Sequence, residues 1–157
     1  MNLWIKIVLC ILVINGLGAA GAIFTADSLK DWYENLNKPP GVPPNSVFGP
    51  VWTILYAMMG TSLALIWHRV EAGKGKTAAL AWFFVQFVFN LSWTPVFFGA
   101  RQLGWALLVI VLLFGGIVFT IVATRKVDRL AAMLLLPYLG WVGYATYLNA
   151  GYYVLNR

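Results

Sequence analysis

A chain of 157 residues that is 61% hydrophobic and only 10% charged, with a mean hydropathy of +0.79, carries more apolar surface than one soluble core of this size can hide. It reads as an all-α membrane protein. Its net charge of +6 resides in the stretches flanking apolar windows, which favours anionic lipid headgroups over nucleic acid as partners, and the lone Cys10 excludes an internal disulfide.

A membrane span needs roughly 20 largely apolar residues. Five windows satisfy this, at about 3–25, 46–67, 77–99, 103–123 and 130–154, and predict one five-helix transmembrane bundle filling residues 1–157 as a single domain. All five acids, Asp27, Asp31, Glu34, Glu71 and Asp128, fall between the windows. Lys6, Arg69, Lys74, Lys76, Arg125, Lys126 and Arg129 lie on one side of the alternating topology, against Lys30, Lys38, Arg101 and Arg157 on the other. This bias places the amino terminus in the cytoplasm. The first window has small residues after a short apolar run, as a signal peptide does, but its apolar character continues through Ile23 and Phe24 and favours a span.

Between the first two windows, residues 26–45 form the one long connection. Pro39, Pro40, Pro43 and Pro44 hold it extended, which suits either a stiff linker or a lid over one mouth of the bundle. The remaining links are short and predict antiparallel neighbours in sequence order. Gly16, Gly18, Ala19, Gly21 and Ala22 in the first span, with Ala78, Ala79 and Ala81 in the third, permit close helix approach within the bundle or between protomers.

Steps of four, three and four residues put Gln86, Asn90, Trp93 and Phe97 on one face of the third span. An unpartnered amide in hydrocarbon costs several kcal/mol, so this face turns inward, toward another helix or toward a ligand. In the fifth span Tyr138, Trp141, Ala145, Leu148 and Tyr152 share a face with a small residue at its centre, and in the second Trp52, Tyr56, Met59 and Leu63 do the same. Such stripes serve packing or interface belts as well as pockets. Eight tryptophans, several at mid-window beside polar residues, suit a flat aromatic ligand held by stacking and oriented by a few amides or hydroxyls.

No Asp, Glu or Lys lies deep in a span, so the usual relay of an ion-coupled pump is missing. The single histidine, His68, stands at the end of a window, where it offers no buried ligand to haem iron. Cys10 or a tyrosine is the only other iron ligand to hand, which favours a metal-free macrocycle or a sterol. No Ser/His/Asp set, Cys/His metal cluster or phosphate loop is present, and no metal or required cofactor is expected. Leu148, Tyr152 and Arg157 fit the loose cholesterol-recognition pattern, which a helix end with an interfacial Tyr and a snorkelling Arg also fits.

Beyond these class-level readings, WYENLNKPP, FGPVWTILYAMMG, FNLSWTPVFFGARQLGWAL and LLPYLGWVGYATYLN, in this order and spacing, resemble the translocator protein family, also called tryptophan-rich sensory proteins or peripheral-type benzodiazepine receptors. The resemblance covers nearly the whole chain from about Asp31 onward. It implies a five-helix bundle, usually a homodimer, that binds porphyrins such as protoporphyrin IX and, in some members, cholesterol and isoquinoline or benzodiazepine-type drugs. Carried over by motif, the pocket comprises Tyr33, Pro43, Phe48, Trp52, Asn90, Trp93, Phe97, Ile110, Phe114, Trp141, Ala145 and Leu148, with Trp105 beside the GARQ turn. The implied role is a tetrapyrrole sensor, scavenger or stress regulator in a bacterial envelope. The alternatives are a transporter of porphyrin or cholesterol, and a light- and oxygen-dependent porphyrin-degrading activity resting on Trp52 and Trp141. One departure stands out: the family's lid motif commonly carries a tryptophan where this chain has Gly41, removing an aromatic wall.

Overall fold

The computed structural model describes residues 1–69 and 73–157, the side chain of Lys74 excepted. Residues 70–72, which include part of the predicted link between the second and third spans, lie outside the described residues. Among the described residues, seven α-helices make up the bundle: α1 (Leu3–Ala19), α2 (Ala22–Asp31), α3 (Asn45–His68), α4 (Gly73–Thr94), α5 (Leu103–Arg125), α6 (Arg129–Leu134) and α7 (Leu136–Leu155). They assemble five stretches long and apolar enough to cross a membrane, Leu3–Asp31, Asn45–His68, Gly75–Gly99, Leu103–Arg125 and Arg129–Leu155. No strand occurs among the described residues. Large apolar side chains such as Trp4, Ile23, Val88, Phe119 and Val122 cover the outside, as a hydrocarbon solvent requires.

Three spans are interrupted, each for a local reason. The first breaks between α1 and α2, where the Gly21 N–H bonds to the Gly18 carbonyl three residues back at 3.2 Å and the turn tightens. Pro95 ends α4, because it has no N–H to offer the carbonyl four residues earlier. Residues Pro95–Gly99 respond by widening into a π-turn, with the Ala100 N–H bonded to the Pro95 carbonyl at 2.8 Å. The last span turns between α6 and α7 at Leu135, just before Pro137.

The predicted connection 26–45 is corrected by α2, which continues as a regular helix to Asp31 and carries exposed Asp27 and Asp31 on it. What remains is a 3₁₀ turn, Tyr33–Asn35, and an extended strap from Leu36 to Pro44. Sequence adjacency also fails once as a guide to packing. The third span lies mainly against α5 and only lightly against α3, whose neighbours are α1 on one side and the α6–α7 span on the other. α2 closes the ring on the third span by packing against the π-turn.

Close approach is made by Gly60, where an added Cβ would lie 2.7 Å from the backbone of Ile11, so α1 and α3 touch backbone to backbone. Gly18 receives the Tyr56 ring in the same way and Ala79 is fully buried, whereas Gly16, Ala78 and Ala81 face outward. Ile14, Met59, Phe83, Leu113, Ile117 and Tyr138 fill the middle of the bundle. At the end away from the strap, Arg69 pairs with Asp128, whose other oxygen accepts the Ala131 N–H at 2.9 Å and caps α6. Burial alone would raise the Asp128 carboxyl, but the Ala131 N–H and the Arg69 guanidinium outweigh it and hold it below the usual carboxylate range.

Candidate functional site

A chain of hydrogen bonds across three spans fixes the centre of the bundle. The Tyr56 hydroxyl donates to Asn90 Oδ1 at 2.9 Å, Asn90 Nδ2 donates to the Tyr138 hydroxyl at 2.8 Å, and that hydroxyl donates to Gln86 Oε1 at 2.8 Å. The buried amides predicted to turn inward are thus partnered by tyrosines, as the cost of an unpaired amide in hydrocarbon demands. Gln86 Nε2 has no partner among the described residues. Asn90 retains one donor and one acceptor position beyond these bonds.

Between this network and the strap lies a cavity of about 450 Å³, within the range of small-molecule sites. Of the twelve residues carried over by motif, Tyr33, Phe48, Trp52, Asn90, Trp93, Phe97, Ile110, Trp141, Ala145 and Leu148 line it, and Pro43 and Phe114 do not. Pro43 belongs to the strap, half-buried. The inward stripe of α5 is Ile110, Leu113 and Ile117, so Phe114 falls beyond its edge, 37% exposed with its ring over Gly143. Trp105, also exposed, stays outside near the Arg101 turn. The cholesterol-pattern residues do not form one surface: Leu148 and Tyr152 are buried and line the cavity, and the Tyr152 hydroxyl donates to Tyr33 at 2.8 Å. This also corrects the interfacial placement of Tyr152; Arg157 alone is exposed.

Aromatic rings make most of the wall. Trp52 stacks on Tyr56 at 5.3 Å and Trp93 on Phe97 at 4.8 Å, each with 30° between planes, while Phe48 meets Trp141 edge-on at 6.0 Å. The π-turn keeps Phe97 and Phe98 both on the lining by adding a residue to the turn. Trp93 Nε1 donates to Asn149 Oδ1 at 3.0 Å and Asn149 Nδ2 to the Leu103 carbonyl at 2.9 Å, so the indole is held at one orientation. Asn15, Tyr56, Thr94 and Asn149 also line the space. Asn15 and Asn149 escaped the sequence reading, although the test that picked out Asn90, a polar residue amid an apolar window, applies equally to both. Among the described residues, no histidine, cysteine or carboxylate lines the cavity, so the lining described can stack and hydrogen-bond a guest.

The strap lies along α7, and the residues that flank it, Tyr33 and Asn45, are on the cavity lining. Asn156 Oδ1 accepts the Asn37 N–H at 2.8 Å and Asn156 Nδ2 donates to the Asn37 carbonyl at 3.0 Å. Pro39 sits where a Cβ on Gly151 would be, and Tyr147 and Tyr144 donate to the carbonyls of Pro40 and Gly41. Gly41 has φ +86°, a left-handed conformation that a tryptophan adopts only with strain. Beneath the strap, burial pushes the Tyr33 phenol above its ordinary range, with the Tyr152 hydrogen bond opposing.

Fold and site together define a class, a multi-pass integral membrane protein whose helices enclose an aromatic chamber under a strap. The sequence profile of the TspO/MBR family matches residues 10–155. The chain is 38% identical over 156 residues to the tryptophan-rich protein TspO of Archaeoglobus fulgidus, covering 99% of each. It is 42% identical over 136 residues to the tryptophan-rich sensory protein of Cereibacter sphaeroides, covering 85% of this chain and 84% of that one. It is also 44% identical over 119 residues to the translocator protein of Homo sapiens, covering 75% and 70%. The chain belongs to the TspO/MBR family.

Proposed function

We propose that this protein is a membrane receptor for a planar, largely apolar aromatic ligand, a tetrapyrrole of the protoporphyrin IX type, acting in sensing or scavenging. The observation that carries the reading is a cavity walled by Trp52, Trp141, Phe48 and Trp93, with amide and hydroxyl groups at only a few points. Indole faces stack on an extended π-system, and the free valences of Asn90 orient polar edges. With no charged residue on the lining, the ligand's carboxylates, where it has them, lie toward the strap end and water rather than in the apolar depth.

The test is a titration of the purified protein with protoporphyrin IX, read by quenching of tryptophan fluorescence. Saturable quenching is expected in the wild type. Ala145→Phe places a ring inside the cavity and is expected to weaken binding by about tenfold or more, the equivalent of about 1.4 kcal/mol. Equal affinity in wild type and Ala145→Phe would place the guest elsewhere.

A further inference from the structure

The strap is fastened along α7, and none of its residues 36–44 is on the cavity lining; the cavity opens elsewhere. It runs out to the surface between two helices that fail to meet. α1 packs on α3 through the backbone contact at Gly60, but the break at Ala20–Gly21 sends α2 away from α3 and onto the π-turn. There α2 is held by Ser28 Oγ, which donates to the Phe98 carbonyl at 2.6 Å, and by Phe24 against Gly99. The result is a wedge-shaped gap between α2 and the first turns of α3. Its edges are cavity-lining residues that are themselves exposed: Ala19 and Ala22 on one side, Gly49 and Thr53 on the other. A Cβ built on Gly49 would meet nothing within 4 Å.

We infer that this gap is the route by which the ligand is admitted, sideways from the hydrocarbon layer, and that the strap stays fastened while it passes. The inference rests on the tetrapyrrole reading above. Three features support it. Both edges of the gap belong to membrane-spanning stretches, so it opens on lipid, where a flat apolar molecule dissolves far better than in water. The exposed lining side chains on those edges are Ala19, Ala22, Gly49 and Thr53, with Asn45 at the very start of α3, leaving a slot that a thin plate can enter edgewise. The strap, by contrast, is tied to α7 by the side chains of Tyr144, Tyr147 and Asn156, and all of those bonds must break for it to lift.

The experiment uses the full-length protein in phosphatidylcholine vesicles and protoporphyrin IX delivered from lipid, with association and dissociation followed by stopped-flow tryptophan quenching. Ala22→Trp and, independently, Gly49→Phe obstruct the slot from opposite edges. Each is expected to slow association and dissociation together, by about tenfold or more, so that their ratio moves less than either rate. The triple substitution Tyr144→Phe/Tyr147→Phe/Asn156→Ala removes these ties of the strap to α7 and is expected to leave both rates as they are. Wild-type rates in both slot variants, or faster exchange in the strap variant, would overturn the inference while leaving the proposed ligand standing. A wild-type protein that binds no protoporphyrin IX would fail the tetrapyrrole reading and the route with it.

Discussion

Asn90 on α4 donates to the Tyr138 hydroxyl on α7 at 2.8 Å, and the two are the middle members of a hydrogen-bond chain whose ends are Tyr56 and Gln86. Removing Asn90 orphans the groups on both sides of it. Asn90→Leu is expected to cost about 2 kcal/mol, because a buried hydroxyl left without its partner loses its full desolvation penalty. Gln86→Leu is expected to cost about 1 kcal/mol or less, since it also removes an amide nitrogen that had no partner. Thermal unfolding in detergent, followed by tryptophan fluorescence, gives the order.

Gly60 has no room for a side chain, with the Ile11 backbone 2.7 Å from an added Cβ. Gly60→Val is expected to separate α1 from α3 and destabilise the bundle by about 2 kcal/mol, within the usual cost of overpacking. Gly16→Val, on a glycine with nothing within 4 Å, is expected to change stability by less than about 0.5 kcal/mol in the same assay.

Asp128 supplies a pH dependence with a definite sign. Its folded-state pKa lies below the unfolded one, so its stabilisation is present above the unfolded value of about 3.9 and is lost as pH falls through the folded one. At neutral pH, Asp128→Asn is expected to be less stable than wild type by up to about 1 kcal/mol, because an Asn oxygen can still accept the Ala131 N–H and only the charge, with its pairing to half-exposed Arg69, is lost. The gap between the two proteins should close below about pH 4. A constant gap from pH 7 to pH 3 would show that the carboxylate charge contributes nothing.

Gly41→Trp places an aromatic in the strap at the position where the family resemblance leads one to expect it. At φ +86° it is expected to strain the backbone by about 1–2 kcal/mol and disturb the Tyr144 hydrogen bond to the Gly41 carbonyl. Backbone amides of residues 36–44 should then exchange hydrogen faster than in wild type. Unchanged protection across the strap would mean that the left-handed turn is not required to hold it.

The spans could be read from the chain because a bilayer demands long apolar runs with the charge outside them, and the inward amides because burying one unpaired is costly. Their partners could not be read: nothing in the spacing says that Asn90 meets Tyr56 and Tyr138 rather than a ligand. The break at Ala20–Gly21 was hidden because small residues fit close packing as well as they fit a kink, and so the extent of α2 and the gap beside it were missed. Phe114 and Pro43 show the limit of carrying positions over by motif. An α-helix turns about 100° per residue, so a neighbour of a lining residue can face a seam instead of the cavity. Tyr152 fits two readings in the sequence because an aromatic near a helix end suits a belt and a buried hydroxyl pair equally well, and the structure shows the buried pair.

The most direct measurement is an experimental structure of the protein crystallised with protoporphyrin IX from a lipid phase. The macrocycle is expected in the cavity between α3, α4 and α7, with its plane against Trp52 or Trp141 and a polar edge within hydrogen-bond distance of Asn90. An empty cavity, with the macrocycle on the lipid-facing surface or absent from a complex formed at saturating ligand, would contradict the account.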